Sequence, residues 1–359
     1  MFLGSDILKV HEIELPQYIL VGHGVLELVG STCKKLGIEG SVVIVSGPNI
    51  WGVVKSRIMG GIEEEKLNPV VYTAKKPSLD EVEDVRKVIK EVKARAVIGV
   101  GGGKAIDVAK LSSYEEGIPF ISVPTAASHD GIASPRASLK GLSRPTSISA
   151  HPPVAVVADV DVIMKAPYRL IASGCGDIIA KLTAVKDWRL AHKLKGEYYG
   201  EYSASLALMS ANLVSRHAEY IPQLMPESIR TVIEALISCG IAMCIAGTSR
   251  PCSGSEHLFS HALDIVAKKP ALHGEQCGVG TIMMMYLHGG NWKKVKKTLK
   301  TIGAPVTAKE LGVSDYEVIK ALTIAHKIRP ERYTILGANG CLLYTSPSPR
   351  DLSTSRMPS

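Results

Sequence analysis

The fold class follows from one segment, Val97-Ile-Gly-Val-Gly-Gly-Gly-Lys-Ala-Ile-Asp-Val-Ala-Lys110. A short β-branched run enters three consecutive glycines and continues directly into a helical pattern. Such a turn bares backbone N–H groups at a helix N-terminus, where an anion such as a pyrophosphate is favoured. The spacing matches neither the G-x-G-x-x-G fingerprint nor a P-loop. A tight turn that binds nothing is the simpler alternative for this segment taken alone.

Similar runs flank this segment on both sides. Short apolar strands are predicted at 41–46, 69–72, 94–99 and 118–123, with helical patterns between them. The clearest helix, 79–92, follows Pro77 and is opened by Ser78, with Glu81 three residues later in the capping-box pattern. This alternation predicts an α/β fold with a doubly wound parallel sheet. Before it, residues 11–36 predict a hairpin that leads into a first helix.

The second half of the chain has a different pattern. Beyond about residue 161 the strand signals fade, and long apolar helical runs follow at 171–190, 202–218 and 229–246. We therefore predict an α/β dinucleotide-binding domain over residues 1–160 and an all-helical metal- and substrate-binding domain over 161–340. Residues 341–359 are rich in Ser, Pro and Arg without periodicity, so we expect a disordered, non-native tail.

Composition bounds the class of protein. The chain has 359 residues, 46% hydrophobic and 21% charged, which is ordinary for a globular protein, and a net charge of +8. No nucleic-acid motif accompanies that charge, and only three Phe are present for stacking, so no nucleic-acid partner is expected. Seven cysteines without a C-x-x-C pair indicate a reducing cytosol. We find no signal peptide and no span for membrane insertion, and expect a cytoplasmic protein.

Three histidines form the strongest chemical signal. His257 and His261 stand four residues apart in a helical pattern, so both project from one helix face. His273 follows just past Pro270, where a new helix can begin. A catalytic metal that keeps one coordination position open needs such a set. Any one of these histidines taken alone is more simply a packing or capping residue.

Two further segments supply carboxylates. Asp177 follows Gly-Cys-Gly and opens an apolar helix, where helix capping alone would explain it. With two imidazoles it completes a set for a catalytic divalent ion, Zn²⁺ first among them. Asp130 lies in the loop from Ser122 to Ser134, which leaves the carboxyl end of a strand and is dense in hydroxyl groups. This pattern is typical of a nucleotide-lining loop, although turn chemistry explains part of it, and His129 can be incidental.

Together these motifs resemble the metal-dependent polyol dehydrogenase and dehydroquinate synthase superfamily. Within it, three segments are most similar to the archaeal sn-glycerol-1-phosphate dehydrogenases: Ser128–Pro135, Ser255–Leu263 and Glu331–Leu336. The resemblance covers about residues 5–340 and rests on several motifs in family order. This chain departs from the family pattern after Gly340, where related chains continue as helix.

The resemblance implies a reaction and a site. The reaction is the reduction of dihydroxyacetone phosphate to sn-glycerol 1-phosphate, the backbone of archaeal ether lipids. Zn²⁺ would be held by Asp177, His257 and His273, with Asp130 and His261 facing the substrate and Asp177 counted as catalytic as well as ligating. The NAD(P)H cofactor would be lined by Gly101, Gly102, Gly103, Lys104, Ala105, Ile106, Asp107, Thr125, Ala126, Ala127, Ser128 and Ser134.

Several points stay open at this level. The strand ending at Val45 and Ser46 lacks the acid that grips a ribose 2′-OH, so we expect NADPH to be accepted alongside NADH. A glycerol dehydrogenase acting on a neutral polyol and a dehydroquinate-synthase-like lyase share the same machinery. A non-catalytic binder using the +8 charge would leave the metal and glycine motifs unexplained. The oligomeric state, a homo-oligomer included, and the Lys or Arg that binds phosphate are not assigned.

Overall fold

A six-stranded sheet forms the first half of the molecule in the computed structural model, which describes residues 11–139 and 146–337. All of its neighbouring strands pair in parallel, in the order β1-β8-β5-β4-β2-β3. The strands of this sheet are β1 Tyr18–Gly22, β2 Ser41–Ser46, β3 Asn68–Thr73, β4 Ala96–Gly101, β5 Phe120–Pro124 and β8 Ala155–Asp159. A separate antiparallel pair is formed by β6 Arg136–Leu139 and β7 Thr146–Ser149.

The sheet is parallel because its central strands are apolar on both faces, and helices cover both faces. In β2 the side chains of Val42 and Ile44 belong to one buried cluster, and those of Val43 and Val45 belong to another. Strands buried on both sides read as continuous Val and Ile runs, as seen here. The helices of this half are α1 Val29–Lys35, α2 Pro48–Glu64, α3 Leu79–Glu91 and α4 Gly103–Glu115.

The second half is helical throughout the part that the structure describes, with no strand between residues 160 and 337. Its helices are α5 Val160–Met164, α6 Tyr168–Lys195, α7 Glu201–Arg216, α8 Pro226–Ala246, α9 Ser255–Val266, α10 His273–Leu287, α11 Trp292–Ile302, α12 Ala308–Leu311 and α13 Asp315–Ala325. The predicted α/β fold with a following helical domain is therefore confirmed. The boundary at residue 160 stays a prediction, and the predicted tail at 341–359 lies outside the described residues.

Two local predictions have different outcomes. The hairpin over 11–36 is wrong, because β1 pairs in parallel with β8, whose residues come more than 130 positions later. A short alternation of polar and apolar residues cannot reveal a partner strand so distant in sequence.

The start of α3 is confirmed, since the Ser78 side chain accepts a hydrogen bond from the Glu81 N–H at 3.4 Å. The capping box itself is not completed, because the Glu81 carboxylate accepts from the backbone N–H groups of Lys75 and Lys76.

Helix α8 is the one described helix that is long and apolar enough to cross a membrane by length and composition. In its most apolar window, 67% of the residues are buried inside the protein. A core helix of this length shows the same character, so the composition of α8 is accounted for by packing.

Candidate active site

Four side chains from three helices converge on one point at the centre of the helical half. Asp177 comes from α6, His257 from α9, and His273 and Cys277 from α10. Their ligand atoms all lie within 4.8 Å of one another. His257 Nε2 lies 3.4 Å from Asp177 Oδ1, and Cys277 Sγ lies 3.6 Å from His273 Nε2. The three predicted ligands, Asp177, His257 and His273, are thus brought together.

Hydrogen bonds behind the histidines orient them for metal binding. His257 Nδ1 lies 2.8 Å from Glu256 Oε1, and this carboxylate also accepts from Thr183 Oγ1 at 2.7 Å. His273 Nδ1 lies 3.1 Å from Ser260 Oγ. Each pair occupies Nδ1 and leaves Nε2 to face the other ligands, which is the usual arrangement around a bound metal. The donor set therefore fits a divalent transition metal.

Glycines in α6 bring Asp177 to this point. The sequence suggested that Asp177 opens a helix, but α6 begins at Tyr168, so Asp177 lies in the third turn and is not a cap. A Cβ on Gly176 would lie 2.2 Å from the Gly274 carbonyl oxygen, and one on Gly174 would lie 2.0 Å from that of Ala127. Only residues without a side chain permit such contact. The Gly-Cys-Gly segment therefore serves close packing, not helix initiation.

A buried lysine links the metal ligands to the loop after β5. Lys181 Nζ lies 2.6 Å from Asp177 Oδ1 and 2.7 Å from Asp130 Oδ2, and its side chain is fully buried. The backbone N–H of Asp130 donates to Asp177 Oδ2 at 2.8 Å. Asp130, predicted to face the substrate, is therefore held directly against the ligand set.

The charges in this cluster shift one another's pKa strongly. Burial raises the pKa of Asp177, but Lys181, His257 and His273 outweigh it and hold that pKa well below its usual range. Burial lowers the pKa of His257, whereas Cys277, Asp177 and Glu256 raise it well above normal overall. Burial raises the pKa of the Cys277 thiol, but the two imidazoles bring it down to about 7. Metal ligation needs neutral imidazoles, so binding an ion here would release protons.

His261 lies beside the ligands without joining them. Its ring centroid is 5.8 Å from that of His273, on the same face of α9 as His257. Burial, followed by the charges of His273 and His257, lowers the pKa of His261 well below its usual range, so the ring is neutral. Its Nδ1 is buried and has no hydrogen-bond partner among residues 11–139 and 146–337. A buried polar atom without a partner is a place where a ligand can bond.

The glycine turn lies at the carboxyl end of β4, at the N-terminus of α4. Gly101 has φ of +149°, which favours glycine, and a Cβ on Gly102 would meet nothing within 4 Å. Gly103 has a different reason: a Cβ there would lie 2.1 Å from His129 Nε2. The His129 ring packs over this turn and accepts from the Gly131 N–H at 3.0 Å. Sequence pattern alone does not favour this role of His129 over an incidental one.

The other predicted cofactor residues lie on α4 directly after this turn or in the loop after β5, and their role stays a prediction. The Thr125 N–H donates to the Gly101 carbonyl at 3.0 Å, which fixes the loop after β5 beside the glycines. Asp107 is buried, 3.6 Å from Lys110 Nζ. Lys104 is exposed, Ser128 is half-buried, and the rest of the set is buried: Ala105, Ile106, Ala126, Ala127 and Ser134.

Sequence reasoning missed three residues of the site. Cys277 and Lys181 each lie four residues after a predicted ligand on the same helix, at i and i+4, which is the one signal that could have found them. Glu256 directly precedes His257 and points to the far side of its ring. None of the three carries a motif of its own.

The sheet, the glycine turn and the Asp-His-His cluster define a metal-dependent alcohol dehydrogenase class, and a family profile described as iron-containing alcohol dehydrogenase matches residues 20–167. A Hyperthermus butylicus protein named glycerol-1-phosphate dehydrogenase, NAD(P)+, is 52% identical over 92% of this chain and 95% of its own. One of the same name from Pyrococcus abyssi is 54% identical over 92% and 95%. The chain belongs to the family of glycerol-1-phosphate dehydrogenases.

Solved structures agree at the level of the fold. A glycerol dehydrogenase from Schizosaccharomyces pombe superposes with a TM-score of 0.75 at 22% identity, covering 89% of this chain and 84% of the other. An NADH-dependent butanol dehydrogenase from Thermotoga maritima gives 0.73 at 17% identity, covering 90% and 92%. At such low sequence identity, the similarity to these structures supports a shared fold and nothing about function.

Proposed function

We propose that the protein catalyses the reversible, NAD(P)H-dependent reduction of dihydroxyacetone phosphate to sn-glycerol 1-phosphate, assisted by Zn²⁺. The product is the backbone of archaeal ether phospholipids, and the enzyme acts in the cytoplasm. One observation carries the proposal: a chain more than half identical to proteins named for this activity assembles Asp177, His257 and His273 at one point.

The role of each residue follows from the groups that it contacts. When bound, the metal supplies a Lewis acid for the substrate carbonyl, and the nicotinamide supplies the hydride. Asp177, His257 and His273 hold the ion, while Glu256 and Ser260 fix the two ring orientations. The soft Cys277 thiol beside them favours Zn²⁺ over hard cations such as Mg²⁺.

His261 and Asp130 act on the substrate. The neutral His261 ring, with Nδ1 unengaged in the described chain, accepts a hydroxyl proton during oxidation and returns one to the alkoxide oxygen during reduction. A neutral imidazole is a weak acid, so a water or a ribose hydroxyl shares that transfer. Asp130, anchored by Lys181, orients a substrate hydroxyl. The backbone N–H groups at the start of α4 receive the cofactor pyrophosphate.

The test is an assay of dihydroxyacetone phosphate reduction before chelation, after chelation and after metal is restored. We expect activity to fall by more than about 100-fold without metal and to return with Zn²⁺. Reconstitution with Fe²⁺ in parallel decides between the two ions. Activity that survives thorough chelation contradicts the metal mechanism.

The same assay separates the alternatives. A preference for unphosphorylated dihydroxyacetone would identify a glycerol dehydrogenase instead. A lyase of the dehydroquinate-synthase kind recycles its cofactor, so steady consumption of NAD(P)H during turnover excludes it.

A further inference from the structure

Cys277 differs from most other buried cysteines in what surrounds it. Four of the six cysteines that the structure describes belong to hydrophobic clusters, where a free thiol behaves as a small apolar side chain: Cys33, Cys175, Cys239 and Cys252. Cys277 is fully buried but belongs to no hydrophobic cluster within residues 11–139 and 146–337. Its sulfur lies 3.6 Å from His273 Nε2 instead. Apolar packing therefore does not account for this thiol.

The helix that carries His273 also brings Cys277 to the metal ligands. The two residues are four apart on α10, so their side chains leave the same face of the helix about one turn from each other. The Cys277 sulfur and the ligand atoms of Asp177, His257 and His273 all lie within 4.8 Å of one another. One ion placed among the three predicted ligands is therefore within reach of the sulfur as well.

The distances between these atoms match those around a four-coordinate zinc ion. Bonds of about 2.3 Å from Zn²⁺ to sulfur and about 2.0–2.1 Å to nitrogen, at tetrahedral angles, place the sulfur and the nitrogen about 3.5–3.6 Å apart. Cys277 Sγ and His273 Nε2 are 3.6 Å apart. The same geometry places a nitrogen and a carboxylate oxygen about 3.3–3.5 Å apart. His257 Nε2 and Asp177 Oδ1 are 3.4 Å apart, so the thiol and the carboxylate both lie at ligand spacing from an imidazole.

Two other roles for the thiol explain its surroundings less completely. A Cys–His pair is the arrangement of a thiol nucleophile, but hydride reduction of a carbonyl needs no covalent bond to the enzyme, and Cys277 is 0% exposed. A weak hydrogen bond to one imidazole fits the 3.6 Å contact with His273. Such a bond gives no reason for Asp177 and His257 to lie within reach of the same sulfur. Ligation of one ion explains all of these contacts.

We propose that Cys277 is a fourth protein ligand of the metal and that its thiolate sulfur selects Zn²⁺ over harder divalent ions such as Mn²⁺. The proposal rests on the proposed function, which places a metal at Asp177, His257 and His273, and it adds a ligand of different chemistry. Carboxylate and imidazole suit many divalent ions, whereas a thiolate prefers soft ones. Four protein ligands leave the site competent for catalysis, because zinc can expand its coordination to five.

Substitution of the metal by Co²⁺ tests the sulfur ligand directly. A thiolate ligand gives Co²⁺ a strong charge-transfer band in the near ultraviolet, which nitrogen and oxygen ligands do not give. We expect this band in the Co²⁺-loaded parent protein and its loss in Cys277→Ser, which replaces the sulfur by oxygen in a side chain of similar size. The visible bands of bound Co²⁺ should remain in this variant. Cys33→Ser is the matched control, since it changes a buried thiol of α1 that lies in a hydrophobic cluster, and it should keep the charge-transfer band.

Competition with a chelating dye measures the effect on metal selectivity. In Cys277→Ser we expect the affinity for Zn²⁺ to fall by more than about 10-fold, because the soft ligand is lost. The affinity for Mn²⁺ should change by less than about threefold, because a hydroxyl oxygen suits that ion at least as well as sulfur. Cys33→Ser should match the parent protein for both ions. The melting temperature of each metal-free variant separates weaker metal binding from loss of fold.

The possible results separate this proposal from the proposed function. If the Co²⁺-loaded parent protein shows the visible bands without the charge-transfer band, Cys277 is not a ligand, while the proposed function stands. A charge-transfer band that persists in Cys277→Ser assigns the sulfur to another cysteine and overturns the proposal in the same way. Equal losses of affinity for Zn²⁺ and Mn²⁺ would show that Cys277 does not select the ion. If the parent protein binds neither Co²⁺ nor Zn²⁺, the metal mechanism of the proposed function fails as well.

Discussion

At the scale of single residues, the contacts of Lys181 explain how its own ammonium group and the carboxylates of Asp177 and Asp130 are tolerated together inside the protein. Its ammonium group bonds Asp177 and Asp130 at 2.6 and 2.7 Å, so neither carboxylate is left alone out of water. Burial lowers the pKa of Lys181, but the two carboxylates raise it well above normal, so the group stays charged. A charged lysine at this position holds the loop after β5 against α6 with or without a metal ion.

The histidines divide by role, and substitution should separate them. In His257→Ala or His273→Ala we expect metal affinity to fall by more than about 100-fold, because a ligand is removed and not merely an outer-shell partner. In His261→Ala the metal should be retained, while turnover falls by about 10²- to 10⁴-fold, the usual contribution of a proton-transfer group. Metal content after gel filtration, measured beside turnover, checks both. Equal loss of metal in all three variants would contradict the division.

These residues also show which parts of the site can be predicted from the sequence and which cannot. His257 and His261 could be predicted from their helical spacing, and His273 from its place after Pro270, where a new helix can begin. Cys277 could not, because a lone thiol in an apolar helical run has the pattern of a core residue. The position of Asp177 in the site was predicted but its place in the helix was not, since two glycines before an acid match a helix start as well as a close contact.

At the scale of elements, the site depends on how closely α6 and α10 approach. Gly176 and Gly274 face each other, and a Cβ on Gly274 would lie 1.9 Å from the Ser173 carbonyl oxygen. The helix backbones meet here without side chains between them. Asp177 directly follows Gly176 and His273 directly precedes Gly274, so the contact sets the distance between two ligands.

Gly176→Ala therefore should cost stability although alanine is the better helix former. The added Cβ would lie 2.2 Å from the Gly274 carbonyl oxygen, so the helices must separate. We expect the free energy of unfolding to fall by about 1–3 kcal/mol, as for overpacked cores, despite a propensity gain of about 1 kcal/mol. Denaturant unfolding measures the change, and metal affinity should fall with it.

Gly52→Ala is the matched control for this prediction. Gly52 lies inside α2, and a Cβ there would meet nothing within 4 Å. The same substitution should raise the free energy of unfolding by about 0.5–1 kcal/mol and leave metal binding unchanged. Destabilisation of similar size in both variants would mean that the close helix contact is not the cause.

At the scale of the whole molecule, periodicity predicted the alternation of β2, β3, β4 and β5 with helices, but it predicted neither β8 nor the strand pairings. Strands 41–46 and 118–123 were predicted close to their observed bounds because buried parallel strands form continuous apolar runs. The partner of β1 and the pair β6–β7 depend on contacts between distant segments, which local pattern does not record. The convergence of β4, α6, α9 and α10 on one site is likewise a property of the assembled chain.

The assembled sheet also bears on cofactor choice. Ser46 at the end of β2 is paired with Val100 of β4, so Gly47 lies beside the glycine turn. No carboxylate stands at this strand end to bond a ribose 2′-OH or to repel a 2′-phosphate. We therefore expect titrations with NADH and NADPH to give kcat/KM values within about tenfold of each other.

Gly47→Asp places an acid at the N-cap of α2, a position that favours Asp. The substitution should lower kcat/KM for NADPH by about 10-fold or more and leave kcat/KM for NADH nearly unchanged. Strict rejection of NADPH by the unchanged protein would contradict this account of the strand end.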